Sequence, residues 1–202
     1  MAKSAPALID GLSAFYGRDK QAMPNPNGGA VGMVLRELTH QGKLNLRCSD
    51  KFHKQVSKII GLDSNPSNNH FTAAGDRLAV WLGPDEVMIL LEAGAETAMA
   101  RQIKDAGSKD HIAVNDVTDA LTSLSLTGPS VRAVLAKGCA LDLHKDYFTS
   151  GMCAQTTLSH AGVTILCKDA DEFIIICRTS FTDYLVDYLC DAALDCGYQL
   201  AV

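Results

Sequence analysis

Residues 163–192 read VTILCKDADEFIIICRTSFTDYLVDYLCDA, and this segment sets the architecture. Two apolar runs, VTILC and FIIIC, flank the polar turn Lys168–Glu172, the pattern of two antiparallel strands joined locally. A helix is expected from about Ser180. Phe181, Tyr184, Leu185, Tyr188, Leu189 and Ala192 fall on one side of it at helical spacing. The same order occurs upstream, where RLAVWL and EVMILL flank Gly83-Pro84-Asp85. Ala95, Ala98, Met99, Ile103 and Ala106 then share a helical face, and Gly107 closes that helix. Both turns end in an Asp-Glu pair, Asp85-Glu86 and Asp171-Glu172. Two copies make two related layers rather than a solenoid, which needs at least about three repeats.

Working outward, Ile112–Val117 and Leu121–Leu126 read as strands. Gly128-Pro129 opens a helix with Val131, Val134 and Leu135 on its apolar face, since proline suits the first helical position. Gly138 ends it. Toward the N-terminus, GMVLREL and KLNLRC read as strands around the turn His40-Gln41-Gly42. Ser49 or Asp50 offers an N-cap to a helix bearing Phe52, Val56, Ile59 and Ile60, with Gly61 at its end. LDSNPSNNH is a polar loop. Pro24, Pro26, Gly28 and Gly29 break regular structure, so residues 1–30 are expected to form a flexible arm, with weak helical spacing between Leu8 and Tyr16. The fold class expected is α+β: two strand-turn-strand-helix layers, antiparallel sheets with helices packed on one side, in subdomains 31–111 and 112–202. The near-continuous runs VTILC and FIIIC need covering. Helices of this chain and partner subunits would share that task, so poor solubility or partial disorder is expected for the chain alone.

The 202 residues are 47% hydrophobic, enough for a real core, and carry a net charge of -5. No Lys/Arg cluster supplies the basic stripe that nucleic acid or an anionic membrane requires. The first 20 residues hold no apolar h-region, and no run approaches the ~20 residues of a membrane span, so a cytoplasmic location is expected. Seven cysteines, an odd number with no C-x-x-C spacing, argue against a disulfide framework and against a zinc knuckle.

Chemical motifs are sparse. Gly28–Gly32 (GGAVG) has the glycines of a dinucleotide loop but lacks the strand before and the helix after that would aim amides at a pyrophosphate. Cys139 follows the C-terminal end of a helix, where the dipole disfavours a thiolate. The six histidines do not pair at metal-ligand spacing, although His144, after LDL, reads as partly buried. No G-x-S-x-G or P-loop occurs. One pattern points outward. Asp183, Asp187, Asp191 and Asp195 recur every four residues opposite the apolar face of the last helix. Like charges at that spacing cost about 0.2–0.5 kcal/mol per pair. A solvated stripe is the plain reading, and contact with a basic partner surface is the sharper one.

Five segments in order, GKLNLRC, WLGPDEVMILL, NDVTDALTSLSLTGPSVRAVLAKGCALDLH, GMCAQTTLSHAGVTIL and RTSFTDYLVDYLCDAAL, resemble the gamma subunits of heterotetrameric sarcosine oxidase. The resemblance runs from about Val34 to Gly197. It departs at Val87-Met88, where the family has an aromatic, and at Cys48, where it has glycine. The resemblance implies a fold akin to the folate-binding aminomethyltransferases. It implies partners: an alpha subunit with FAD and NAD sites and a tetrahydrofolate-binding half, a beta subunit with covalent FMN, and a delta subunit with zinc. No cofactor, catalytic residue or metal is assigned to this chain itself. The complex would demethylate sarcosine to glycine, giving hydrogen peroxide and 5,10-methylenetetrahydrofolate or formaldehyde. Two alternatives stand beside it: a self-sufficient folate-binding aminomethyltransferase-like protein, for which the chain is short, and the equivalent subunit of a related N-methyl amino acid dehydrogenase.

Overall fold

The computed structural model describes residues 18, 21–107, 109 and 111–201. In chain order the elements are β1 (Ala22–Met23), β2 (Met33–Glu37), β3 (Gly42–Arg47), α1 (Asp50–Ile60), β4 (Phe71–Ala74), β5 (Arg77–Gly83) and β6 (Glu86–Leu91). They continue with α2 (Glu96–Ala106), β7 (Ala113–Asp116), β8 (Leu121–Thr127), α3 (Val131–Ala136), β9 (Cys153–Leu158), β10 (Ala161–Asp169), β11 (Glu172–Arg178), α4 (Thr182–Ala192) and β12 (Tyr198–Ala201). One sheet has the order β1-β12-β2-β8-β11-β10-β9 and the other β4-β5-β6-β3-β7.

The repeat seen in the sequence is larger than a hairpin and a helix. β3-α1-β4-β5-β6-α2 and β8-α3-β9-β10-β11-α4 follow one plan, with strand orders β4-β5-β6-β3 and β9-β10-β11-β8. Both hairpins slip register just before the turn, between Trp81 and Gly83 and between Cys167 and Asp169. Both turns are tied back alike: the Cys48 amide donates to the Asp85 carbonyl and the Gly128 amide to the Asp171 carbonyl, each at 3.0 Å. The strand preceding each copy joins the other copy's sheet. β2 pairs with β8, and β7 pairs with β3, both antiparallel. The chain therefore crosses the 111/112 division once in each direction. β2 and β3, adjacent in sequence, lie in different sheets. No local hairpin forms at His40–Gly42, because β2 instead pairs in parallel with β12.

Four layers result. Leu44, Leu46, Ile89 and Leu91 of the smaller sheet pack against Phe52, Val56 and Ile60 of α1 and Met99 and Ile103 of α2. Leu35, Leu126, Ile165, Phe173 and Ile175 of the larger sheet pack against Val134 and Leu135 of α3 and Leu185 and Leu189 of α4. The other faces meet each other: Leu78, Val80, Met88 and Leu90 contact Leu166, Ile174 and Ile176. Helices lie on one side of each sheet, as expected. The opposite side of VTILC and FIIIC is covered by the second sheet, not by a partner. Each such buried aliphatic side chain contributes about 1.5–3 kcal/mol. The ground for expecting poor solubility is thereby removed.

The described part of the stretch expected to be an arm lies along the edge of the larger sheet. Ala22 and Met23 pair with Gln199 and Tyr198, and Gln21 Nε2 donates to the Tyr198 hydroxyl at 2.9 Å. The approach is close because Gly197 has φ 75°, and a Cβ there would stand 2.5 Å from the Asn25 nitrogen. The weak helical spacing at Leu8–Tyr16 lies outside the described residues. On α4 the buried face holds Val186 and Cys190 besides Leu185, Leu189 and Ala192. Phe181 and Tyr184, expected on that face, are each 37% exposed. Phe181 belongs to a 3-10 turn, Thr179–Phe181, that precedes α4, and Tyr184 stands at the margin of the buried face with its hydroxyl 2.6 Å from Ser159 Oγ.

Candidate interaction surface and cavity

The α4 side opposite the core carries the acidic stripe. Asp183, Asp187 and Asp191 are exposed on the helix, and Asp195 is exposed just beyond it. The structure gives two of the four a cation of their own. Arg18 Nη1 donates to Asp187 Oδ1 at 2.6 Å, and Lys137 Nζ donates to Asp195 Oδ1 at 2.7 Å. The Lys137 ammonium also reaches the Ala192 carbonyl, closing the C-terminal end of α4 as a basic side chain does well there. It holds the Asp195 carboxyl below the usual carboxylate range. Asp183 and Asp191 make no ion pair among the described residues. The repulsion that motivated a partner contact is thus half relieved within the chain. Because the Arg18–Asp187 pair is exposed, Asp187→Asn should change stability by less than about 1 kcal/mol, read as a small shift in Tm.

The other sequence candidates are dispersed. Gly28–Gly32 runs directly into β2, so its amides do not open a helix and do not fit a pyrophosphate. His144, expected to be partly buried, is exposed, with Nδ1 3.6 Å from Asp146 Oδ2. The chain turns out of the core after Leu143, placing His144 on an open loop. The side chain of His53 is outside the described residues. Among the described residues no group of three His, Cys, Asp or Glu side chains is placed to hold a metal ion, so they do not form a zinc seat. All seven cysteines are free thiols. Burial pushes the Cys153 thiol up to about 11, and burial likewise raises Cys167, Cys177 and Cys190. Such thiols stay protonated and unreactive at neutral pH.

A cavity of about 350 Å³ opens where β5 of the smaller sheet meets β9, an edge strand of the larger. The two strands are joined by Gln155 Nε2 donating to the Leu82 carbonyl at 2.7 Å and by the Cys153 thiol, 3.5 Å from the Trp81 carbonyl. Trp81 is part of the lining. Asp142, Tyr147 and Phe148, on the loop after α3, line the cavity as well. Arg132 holds that loop. Its Nη1 donates to the carbonyls of Leu143 at 2.7 Å and Phe148 at 3.0 Å. Its Nε donates to the Ala170 carbonyl at 2.7 Å, and its Cζ stands 4.8 Å from the centre of the Phe173 ring. Sequence reasoning passed over Arg132. The available signal was an arginine inside a helix of only six residues, next to Val131 on the apolar face.

A second side chain missed in the sequence is Lys43, only 3% exposed. Leu44 and Leu46 point to the helices, so Lys43 enters the space between the sheets. Its Nζ donates to the Gln41 carbonyl at 2.8 Å. Burial lowers its pKa to about 8, partly offset by Glu37, Asp119 and Asp116.

The architecture defines the class. It is the fold of aminomethyltransferase T of the glycine cleavage system, whose Bartonella henselae structure matches with TM-score 0.66 at 12% identity, over 93% of this chain and 57% of that one. The model of the sarcosine oxidase, gamma subunit family matches residues 47–195, and the chain belongs to that family. Similar proteins include the sarcosine oxidase subunit gamma of Corynebacterium sp. strain P-1, 34% identical over 56% of this chain and 55% of that protein. The subunit gamma of Corynebacterium sp. strain U-96 is 29% identical over 81% of this chain and 80% of its own length. The structure of the heterotetrameric sarcosine oxidase from strain U-96, in complex with pyrrole 2-carboxylate, contains a chain that matches with TM-score 0.76 at 25% identity. That match covers 83% of this chain and 88% of the other. No described helix is long and apolar enough to cross a membrane.

Proposed function

We propose that this chain is the gamma subunit of a heterotetrameric sarcosine oxidase and serves it by docking rather than by chemistry of its own. The observation that carries this reading is the match, over most of both chains, to a chain of the heterotetrameric enzyme of strain U-96. The complex would act in the cytoplasm, oxidatively demethylating sarcosine to glycine with release of hydrogen peroxide and 5,10-methylenetetrahydrofolate or formaldehyde. Alpha, beta and delta subunits would carry FAD, FMN, NAD, tetrahydrofolate and zinc. Asp183 and Asp191, with Asp187 and Asp195 beside them, would face a basic partner surface.

The fold likeness to aminomethyltransferase T favours one other reading, a self-sufficient folate-binding protein. Purification of the tagged chain from its host, with native mass measurement, separates the two. Three companion polypeptides and flavin absorbance are expected. A lone chain that binds tetrahydrofolate by itself would establish the other reading.

A further inference from the structure

The cavity at the β5–β9 seam holds a combination that the fold does not need. Phe148 anchors its loop in the core at 3% exposure, stacked on Phe173 with ring centroids 6.4 Å apart. Its neighbour Tyr147 is 70% exposed on the cavity rim and adds nothing to that core. Trp81, half-buried, lines the same cavity. The Asp142 side chain also lines it. Its Oδ1 accepts the His144 amide at 2.9 Å, and its second oxygen makes no hydrogen bond among the described residues. The Gln155 amide group donates to Leu82, which leaves its carbonyl oxygen as an acceptor.

Among the described residues no lysine or arginine lines the cavity. Arg132, outside this lining, donates Nε and Nη1 to three carbonyls and Nη2 to the Cys167 sulfur. The lining therefore offers aromatic rings, the side-chain amides of Asn69 and Gln155 and one carboxylate, with Leu141 and Met152 as apolar packing. Aromatic faces attract a cation within about 6 Å of the ring centre, most strongly when it carries methyl groups in place of a tight water shell. About 350 Å³ is at the small end of the range for small-molecule sites.

We propose that this cavity binds a small organic ammonium ion of the methylated amine class, between Trp81 and Tyr147 with its charge toward Asp142. The site is independent of the docking role, so its failure would leave that role intact. Trp81 is the only tryptophan of the chain, so intrinsic fluorescence of the full chain reports on this cavity directly. Titration with tetramethylammonium chloride should give a saturable change that sodium chloride at equal ionic strength and the neutral isostere tert-butanol do not give. Asp142→Asn keeps an Oδ1 acceptor for the His144 amide, and Tyr147→Ala removes an exposed ring, so both variants should fold. Each should weaken binding about tenfold. Saturation transfer to the ligand methyl protons repeats the comparison in the assembled complex. No saturable change, equal binding of tert-butanol, or unaltered affinity in both variants would overturn the proposal.

Discussion

Replacing Arg132 by alanine is expected to lower stability by about 3–4 kcal/mol, since hydrogen bonds to a charged donor are worth roughly 1.5–3 kcal/mol each and orphaned buried carbonyls add their own cost. The guanidinium joins four segments. It stands on α3, reaches Leu143 and Phe148 on the cavity loop, reaches Ala170 in the β10–β11 turn, and covers the Phe173 ring. Its Nη2 lies 3.4 Å from Cys167 Sγ. No single lysine ammonium can span these positions, because the fixed fork of donors is what meets them together. Arg132→Lys should therefore recover less than half of the loss. Urea unfolding measures both. Hydrogen exchange supplies the local readout: the amides of Tyr147 and Phe148, which donate to the His144 carbonyl at 3.0 and 2.9 Å, should lose protection first. Global unfolding unchanged by Arg132→Ala would mean that the loop is held by Phe148 packing alone.

Lys43 should act in the opposite sense. Its folded pKa of about 8 lies below the ordinary 10.5, so the folded state disfavours the charged form. Below pH 8 both states are protonated and the full burial cost is present. Between pH 8 and 10.5 the unfolded chain binds more protons, and stability rises with pH as the cost is relieved. The difference of about 2.5 pH units corresponds to roughly 3 kcal/mol. Lys43→Met keeps the aliphatic stem and removes the charge. The variant should be more stable than the parent at pH 7 by about 1–2 kcal/mol, the loss of the bond to the Gln41 carbonyl offsetting part of the gain. Its advantage should fall by about 3 kcal/mol between pH 7 and 10.5, because only the parent's Lys43 titrates in that window. Urea unfolding of both proteins at the two pH values provides the difference. A gap that does not change with pH would show that Lys43 is solvated in the folded chain.

These two side chains mark where the sequence stopped being informative. The β5–β6 and β10–β11 hairpins, the helices α1, α2 and α4, and the stop at Gly61 (φ 81°) were all legible, because each depends on residues a few positions apart. Sheet membership was not. β2 and β3 look like consecutive partners, yet β2 joins β8 and β12, whose residues are some 90 and 165 positions away. VTILC and FIIIC are apolar on both faces because helices cover one and the second sheet covers the other, which removes the alternation that would orient them. Lys43 and Asn45 alternate with Leu44 and Leu46 as solvent-facing residues would. Only the second sheet reveals that the Lys43 side faces the interior. The cavity combines Asn69 and Trp81 with residues from Leu141 to Gln155, so no spacing rule could have assembled it. The acidic stripe was legible as a pattern. Its cations were not, since Arg18 and Lys137 come from distant segments.

The membership of this chain in an oxidase assembly is tested most directly by sarcosine-dependent oxygen uptake, measured on material purified through a tag on this chain and on the chain purified alone. Uptake with the co-purified assembly and none with the isolated chain is the predicted result. Turnover by the isolated chain, or tagged material that carries no companion subunits and no sarcosine-dependent uptake, would contradict it.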